Sequence, residues 1–340
     1  MVSKIFNSLF LVFFLIISLC GCTKNTDENT SQNPTTLSQP SIPPAGKLYV
    51  GAFCNQLQNP DNPRDPAQMA ASVIALEKDL GHSLAIITHY YSANSTIESD
   101  ELAADAKNGR IPIITLTSGG DADATLAGER DEMFRERARE FKKFGKPIFL
   151  RYFTAMNRPG INGRHDKDLG YVVGASPETD ALRAAKYVKL WRYVHDIFKS
   201  EGATNVAWVW SVGDEKSKWD DFAKPYYPGN DYVDWIGLNG YNQHEDTDAI
   251  FTERFAPFFN YWLQQTGKPE MMTETGGPTN TQSQANWLNE AHANIQATIP
   301  GLKALNYFNS IGSLNNFFLT GNGLQAFINM ANDPHFSWRP

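Results

Sequence analysis

Cysteine is nearly missing from this chain, with three in 340 residues, at positions 20, 22 and 54. No Cys-x-x-Cys pair occurs, so a disulfide framework and a thiolate metal site are both excluded. Positive charge is also in deficit. Thirty Lys and Arg against 37 Asp and Glu leave a net charge of −7 and a pI near 5.5. No basic face is available to displace counterions from phosphates, which argues against a nucleic-acid partner. No Gly-x-Gly-x-x-Gly loop follows a strand-like run, no Gly-x-Ser-x-Gly elbow occurs, and no His/Asp/Glu cluster has metal-ligand spacing. Neither a metal nor a cofactor is expected. The apolar run Leu9 to Leu19 is too short to span a bilayer comfortably.

What is present begins with an address. Lys4 followed by that apolar run reads as an export signal over residues 1–21. Leu19-Cys20-Gly21-Cys22 resembles a bacterial lipoprotein box, with Leu three residues before Cys22 and a small residue just before it. Cleavage before Cys22 and lipidation of that residue are expected, which would hold the protein at a membrane surface of the bacterial cell envelope without a spanning helix. Processing would leave Cys54 without a partner. Residues 22–46, rich in Thr, Asn, Ser, Gln and Pro, read as a lipidated start and a disordered tether.

From Lys47 to the end at Pro340, short apolar runs alternate with stretches of helical period. Strands are expected at Lys47–Phe53, Leu84–Tyr91, Ile111–Thr117, around Ile148–Leu150, Asn205–Val212, Tyr232–Tyr241, Pro269–Thr275 and Leu302–Asn309. Helices are expected between them, among them Pro66–Leu80, Ser99–Lys107 and Pro177–Ser200. Eight such alternations with no second composition regime fit a single-domain α/β fold, a (β/α)8 TIM barrel, better than an open doubly wound sheet. The chain is expected to act as a monomer.

In such a barrel, polar residues at the carboxyl ends of strands come first as functional candidates. They are Asn55, His89, Thr115, Thr117, Arg151 to Asn157, Asp214, Asn239, Tyr241 and Glu274. An arginine facing inward from KPIFLRYFTAMN (Lys146 to Asn157) requires acids to pair with, in a site or in a structural ion pair. If that run is extended, Arg151, Phe153 and Ala155 share one face and Tyr152 and Thr154 the other. Glu274, on the same face of its strand as Met272, is either a structural buried acid or a carboxylate held ionised by Arg151 and the Tyr241 hydroxyl. Held that way it suits the nucleophile of retaining glycoside hydrolysis, which also needs a second carboxyl about 5–5.5 Å away. The chain has eight Trp, 13 Tyr and 21 Phe. Among them Trp208, Trp210, Trp235 and Tyr241 suit sugar stacking, and Trp208 and Trp210 suit the core equally well.

The segment from Lys47 to about Asn309 resembles glycoside hydrolase family 26, the family of endo-β-1,4-mannanases and mixed-linkage β-glucanases. The matches are Trp208-x-Trp210, the stretch YYPGNDYVDWIGLNGY (Tyr226 to Tyr241) and Glu274-Thr275-Gly276. The resemblance implies a retaining endo-glycosidase acting on a β-linked polysaccharide, β-mannan or mixed-linkage β-glucan, with Glu274 as nucleophile. Candidate substrate contacts are Arg151, Thr154, Asn157, Trp208, Trp210, Trp235 and Tyr241. The family's strand-four pattern is Arg-x-x-His-Glu-Met-Asn. Here Arg151, Met156 and Asn157 match, while Thr154 stands at the His position and Ala155 at the acid/base Glu position. General acid catalysis is worth about 10²–10⁴-fold. The alternative expectation is therefore a catalytically impaired glycan-binding lipoprotein. Asp214, Glu215, His244, Glu245, His165 and Asp166 are loop groups that would have to supply the missing acid.

Overall fold

Strands β1 (Tyr49–Cys54), β2 (Ile86–Tyr91), β3 (Ile111–Leu116), β4 (Ile148–Tyr152), β5 (Val206–Gly213), β6 (Trp235–Asn239), β7 (Glu270–Thr275) and β8 (Leu302–Asn309) pair in sequence order into a closed barrel in the computed structural model. Every neighbouring pair is parallel, β8 closing on β1. The expected (β/α)8 barrel is what the chain forms. The structure describes residues 37–55, 65–157, 168–169, 177–214, 223–242, 250–279, 282–312 and 315–339. The export segment, Cys22 and the tether as far as residue 36 lie outside them.

Eight α-helices are described: α1 (Pro66–Leu80), α2 (Ser99–Lys107), α3 (Ala122–Leu126), α4 (Asp131–Phe144), α5 (Pro177–Glu201), α6 (Phe251–Thr266), α7 (Gln282–Thr298) and α8 (Gly321–Asn332). Their ends follow local chemistry. The Asp65 side chain accepts from the Ala67 amide at 3.0 Å and Pro66 opens α1, while Gly81 closes it at φ 78. That left-handed angle costs a glycine nothing, since no Cβ meets the preceding turn.

Period-two alternation divides the strands' apolar residues into two cores. Tyr49, Ile86, Ile111, Ile113, Phe149, Val209, Trp235, Met271 and Ala304 cluster together without a helical residue, and so fill the lower lumen. Their neighbours Val50, Ile87, Ile148, Leu150, Tyr152, Trp208, Trp210, Met272 and Leu305 pack with the helices instead. Above the lower lumen the same alternation turns polar, bringing Thr88, Arg151, Ser211, Asn239, Thr273 and Asn306 inward, all buried. Gly237 makes part of this layer possible. A Cβ there would lie 2.9 Å from Thr273 Cγ2 and 3.1 Å from Ser211 Cβ, so its bare backbone lets β5 and β7 meet across β6. The two hydroxyls, Ser211 and Thr273, lie 2.7 Å apart.

The amino ends of the strands carry the described part of the expected tether. Gln39 donates to the Val206 carbonyl at 2.9 Å, and the Tyr49 hydroxyl donates to the Ser41 carbonyl at 2.8 Å. Lys303 reaches the Pro44 carbonyl at 3.3 Å. Residues 37–46 thus lie against the face opposite the carboxyl ends.

Candidate active site

Arg151 follows Phe149 on the inward face of β4 and is 0% exposed, the largest fully buried charged side chain among the described residues. Its guanidinium is spent on four groups from other strands or the chain just beyond β4. Nη1 donates to Thr115 Oγ1 at 3.2 Å, and Nη2 donates to Thr154 Oγ1 at 3.0 Å, Asn239 Oδ1 at 2.8 Å and Glu274 Oε1 at 2.8 Å. The ion pair with Glu274 is the reason an arginine can be buried here.

Glu274 reaches the lumen through an irregularity. Along β6 and β7, Leu238 pairs with Met272 but Asn239 pairs with Glu274, and towards β8 the register shifts between Met272 and Thr275. One extra residue on β7, a β-bulge, turns both Thr273 and Glu274 inward. Thr273 Oγ1 donates to the Leu238 carbonyl at 2.9 Å and contacts Asn239 Oδ1. Glu274 Oε1 accepts from the Tyr90 hydroxyl at 2.7 Å as well as from Arg151, and Oε2 accepts from the Tyr241 hydroxyl at 2.5 Å. The bulge corrects the expectation that Met272 and Glu274 share a face, because Met272 packs among the helix-facing residues.

Burial by itself would push the Glu274 carboxyl up. The Arg151 charge and the hydroxyls of Tyr241 and Tyr90 outweigh it, and the group is held below the ordinary carboxylate range. Burial beside that carboxylate pushes both tyrosines well above their ordinary value. The centre is therefore an ionised carboxylate ringed by neutral hydroxyls and one cation. Aromatic rings wall it. Phe53 meets Tyr90 edge-on at 4.8 Å and stacks on Phe308 at 5.2 Å, while Tyr241 packs against Phe317 at 5.0 Å and Phe308 at 5.9 Å.

Strand alternation fails beyond β4. Phe153 has φ 47 and Ala155 φ 54, so the chain leaves the extended conformation directly after Tyr152. The expected grouping of Arg151 with Phe153 and Ala155 is overturned. Phe153 packs edge-on against Tyr187 of α5 at 5.6 Å, and Thr154 is the residue that returns to Arg151. The Ala155 amide donates to the Ser211 carbonyl at 2.9 Å. Asn157, 2% exposed, accepts from the Gly213 amide at 2.7 Å and donates to the Gly213 carbonyl at 2.8 Å, stitching this turn to β5.

The three tryptophans offered as sugar contacts lie elsewhere. Trp208 packs against Trp191 and Phe198 of α5, and Trp210 against Tyr227 and Trp262, both on the helix side of β5. Trp235 sits at the amino end of the lumen, edge-on to Phe149 at 5.0 Å. None of the three stands with Glu274. His89 also points outward, with a ring nitrogen 2.6 Å from Asp105 Oδ2. Asp214 is bound by Arg254 Nε at 2.6 Å and Nη2 at 2.5 Å. The other loop groups considered as acids, His165, Asp166, Glu215, His244 and Glu245, lie outside the described residues. Tyr90 is the partner that sequence reasoning missed. Its one signal was a tyrosine at the carboxyl end of the second strand.

Known proteins resemble the chain in sequence and in fold. The chain is 25% identical over 230 residues to endoglucanase H of Acetivibrio thermocellus, covering 64% of this chain and 24% of that protein. It is 27% identical over 168 residues to a mannan endo-1,4-β-mannosidase of Bacillus subtilis, covering 47% of this chain and 40% of that protein. The matches thus span about a quarter and two fifths of the relatives' own lengths. The fold is shared with the catalytic domain of a Bacillus sp. JAMB-750 endo-β-1,4-mannanase, with TM-score 0.63, 15% identity and coverage of 85% and 87% of the two chains. It is likewise shared with a Bacillus subtilis mannanase, at TM-score 0.57, 18% identity and coverage of 86% and 87%.

The family model for glycosyl hydrolase family 26 matches residues 173–295, the stretch that holds Trp208, Trp210, Tyr241 and Glu274. Over that stretch the chain resembles glycosyl hydrolase family 26, the family its motifs pointed to.

Proposed function

We propose that this protein is a lipid-anchored glycosidase of the cell envelope that acts on a β-linked, mannan-type polysaccharide with net retention. One observation carries the reading. An ionised carboxylate, Glu274, stands at the carboxyl ends of the strands among Arg151, Tyr90 and Tyr241, where an acid with no catalytic task would be costly. The carboxylate attacks the anomeric carbon, and the aromatic wall formed by Phe53, Phe308 and Phe317 receives the sugar faces. The names of the matched relatives, a mannosidase among them, support β-mannan as the polymer. Lipidation at Cys22 would keep the domain at the surface where polymer arrives.

A second reading is favoured by Ala155, which stands where the resembling family carries its acid. The same site would then capture glycan without cutting it. Reducing-sugar release separates the two, measured on glucomannan, galactomannan and mixed-linkage β-glucan with the unaltered protein, Ala155→Glu and Glu274→Ala. Cutting by the unaltered protein that Glu274→Ala abolishes supports the enzyme, with a loop group as acid. Cutting by Ala155→Glu alone supports the binder. Silence from both refutes the substrate class.

A further inference from the structure

The two oxygens of Glu274 are unequal. Oε1 accepts two hydrogen bonds, from Arg151 Nη2 at 2.8 Å and the Tyr90 hydroxyl at 2.7 Å. Oε2 accepts one among the described residues, from the Tyr241 hydroxyl at 2.5 Å. A carboxylate oxygen offers about two lone-pair directions. Oε1 is therefore filled, and Oε2 keeps one direction open. The difference is made by Tyr90, since Arg151 and Tyr241 alone would load each oxygen once. Tyr90 is itself fixed, its ring held edge-on by Phe53 at 4.8 Å and its strand paired to β3 along its length.

We propose that Tyr90 is a positioning residue that commits Oε2 as the oxygen bonding to sugar and Oε1 as the carbonyl oxygen of the glycosyl ester. The proposal rests on Glu274 being the nucleophile. In the step, an Oε2 lone pair forms the bond to the anomeric carbon while the bond from that carbon to the leaving oxygen breaks. The leaving oxygen takes the bonding electrons, together with a proton from water or a loop acid, or leaves as an anion where its conjugate acid is strong enough. The carboxylate charge is discharged, and Oε1, now a carbonyl, keeps its two donors. Water then attacks the anomeric carbon, Oε2 recovers its electron pair, and the water's proton passes to solvent or a base. Without Tyr90 each oxygen keeps one donor and one open direction, so the two are no longer distinguished and the attacking lone pair is less sharply aimed.

The test uses 2,4-dinitrophenyl β-mannoside and the matching glucoside, whose phenolate leaves unprotonated, so the residue at position 155 does not decide the outcome. Rapid-mixing release of dinitrophenolate reads the first step in the unaltered full-length protein, Tyr90→Phe and Glu274→Ala. Tyr90→Phe is expected to slow that step by roughly 10²-fold, the scale of a small misplacement, with KM little changed. The acid limb of its pH profile should move to higher pH, because the carboxylate loses a donor that favours its charged form. A 3,5-difluorotyrosine at position 90, similar in shape with a more acidic hydroxyl, should move the limb the other way, and it replaces Tyr90→Phe if that variant fails to fold. A Tyr90 that only packs would leave the limb in place. Rates within twofold and unmoved limbs in both variants overturn this assignment while leaving Glu274 as nucleophile. No release by the unaltered protein from either glycoside, or release that survives Glu274→Ala, overturns the nucleophile and this proposal with it.

Discussion

Glu270 opens β7 on the helix-facing side, is 0% exposed, and has no hydrogen-bond partner on either carboxyl oxygen among the described residues. It is wedged over Gly301, where a Cβ would come within 2.3 Å of Oε2. Burial pushes its carboxyl up to about 9, and the Leu263 backbone nearby offsets little of that. The folded protein thus keeps a proton that the unfolded chain releases above about 4.5. Stability must fall as pH rises between these two values, because the unfolded state binds fewer protons. The slope is about 1.4 kcal/mol per pH unit, which amounts to roughly 3 kcal/mol at pH 7 and roughly 6 kcal/mol at pH 9. Glu270→Met fills the same space without a titrating or unsatisfied group. At pH 7 it should stabilise the domain by roughly 3 kcal/mol, or about 6 °C in Tm. Its advantage should widen to pH 9 and shrink towards pH 4.5. Glu270→Gln removes the slope but buries an unpaired amide at about 1–3 kcal/mol. Urea unfolding of the three proteins at pH 5, 7 and 8.5 measures the effect. Parallel curves for the unaltered protein and Glu270→Met across that range would refute a carboxyl held protonated.

Arg151→Met strands the Glu274 charge in the lumen and should cost about 3–5 kcal/mol in urea unfolding. Adding Glu274→Leu to it should recover most of that loss, and no recovery would mean that the arginine stabilises through its other bonds. Ala155→Gly, at φ 54, should raise stability by about 1 kcal/mol by thermal melt, since glycine meets no penalty in the left-handed region. Trp208→Ala and Trp210→Ala should each cost about 3–5 kcal/mol. The glycan affinity of the folded fraction, read by calorimetry, should be unchanged, and a selective loss of binding would return these residues to the cleft.

The barrel was legible because its information is local. Strand and helix lengths, the Asp65-Pro66 start and Gly81 stop of α1, and the succession of eight units all lie within short windows of sequence. Arg151 and Glu274 were legible for another reason. A buried charge at the carboxyl end of an apolar strand demands a partner of opposite sign, and each was the obvious partner of the other. The structure agrees, placing them 2.8 Å apart.

The rest depended on geometry that no window holds. In β5 both faces are apolar, so alternation could say that Trp208 and Trp210 share a side but not that the side faces helices. The bulge in β7 and the left-handed turn at Phe153 and Ala155 each break the period-two rule at the point where the site is made. Tyr90 lies 184 positions before Glu274 and meets it only once the barrel closes. Glu270 lies within the expected strand Pro269–Thr275 without drawing notice, and is a buried unpaired acid only because α6 and the Gly301 turn pack over it. Sequence alone determined the sequence of elements and the charge pair that had to exist, because propensity and desolvation act residue by residue. Tertiary structure alone decided which face each side chain shows and which donors reach Glu274, because those depend on register, bulge and closure of strands far apart in the chain.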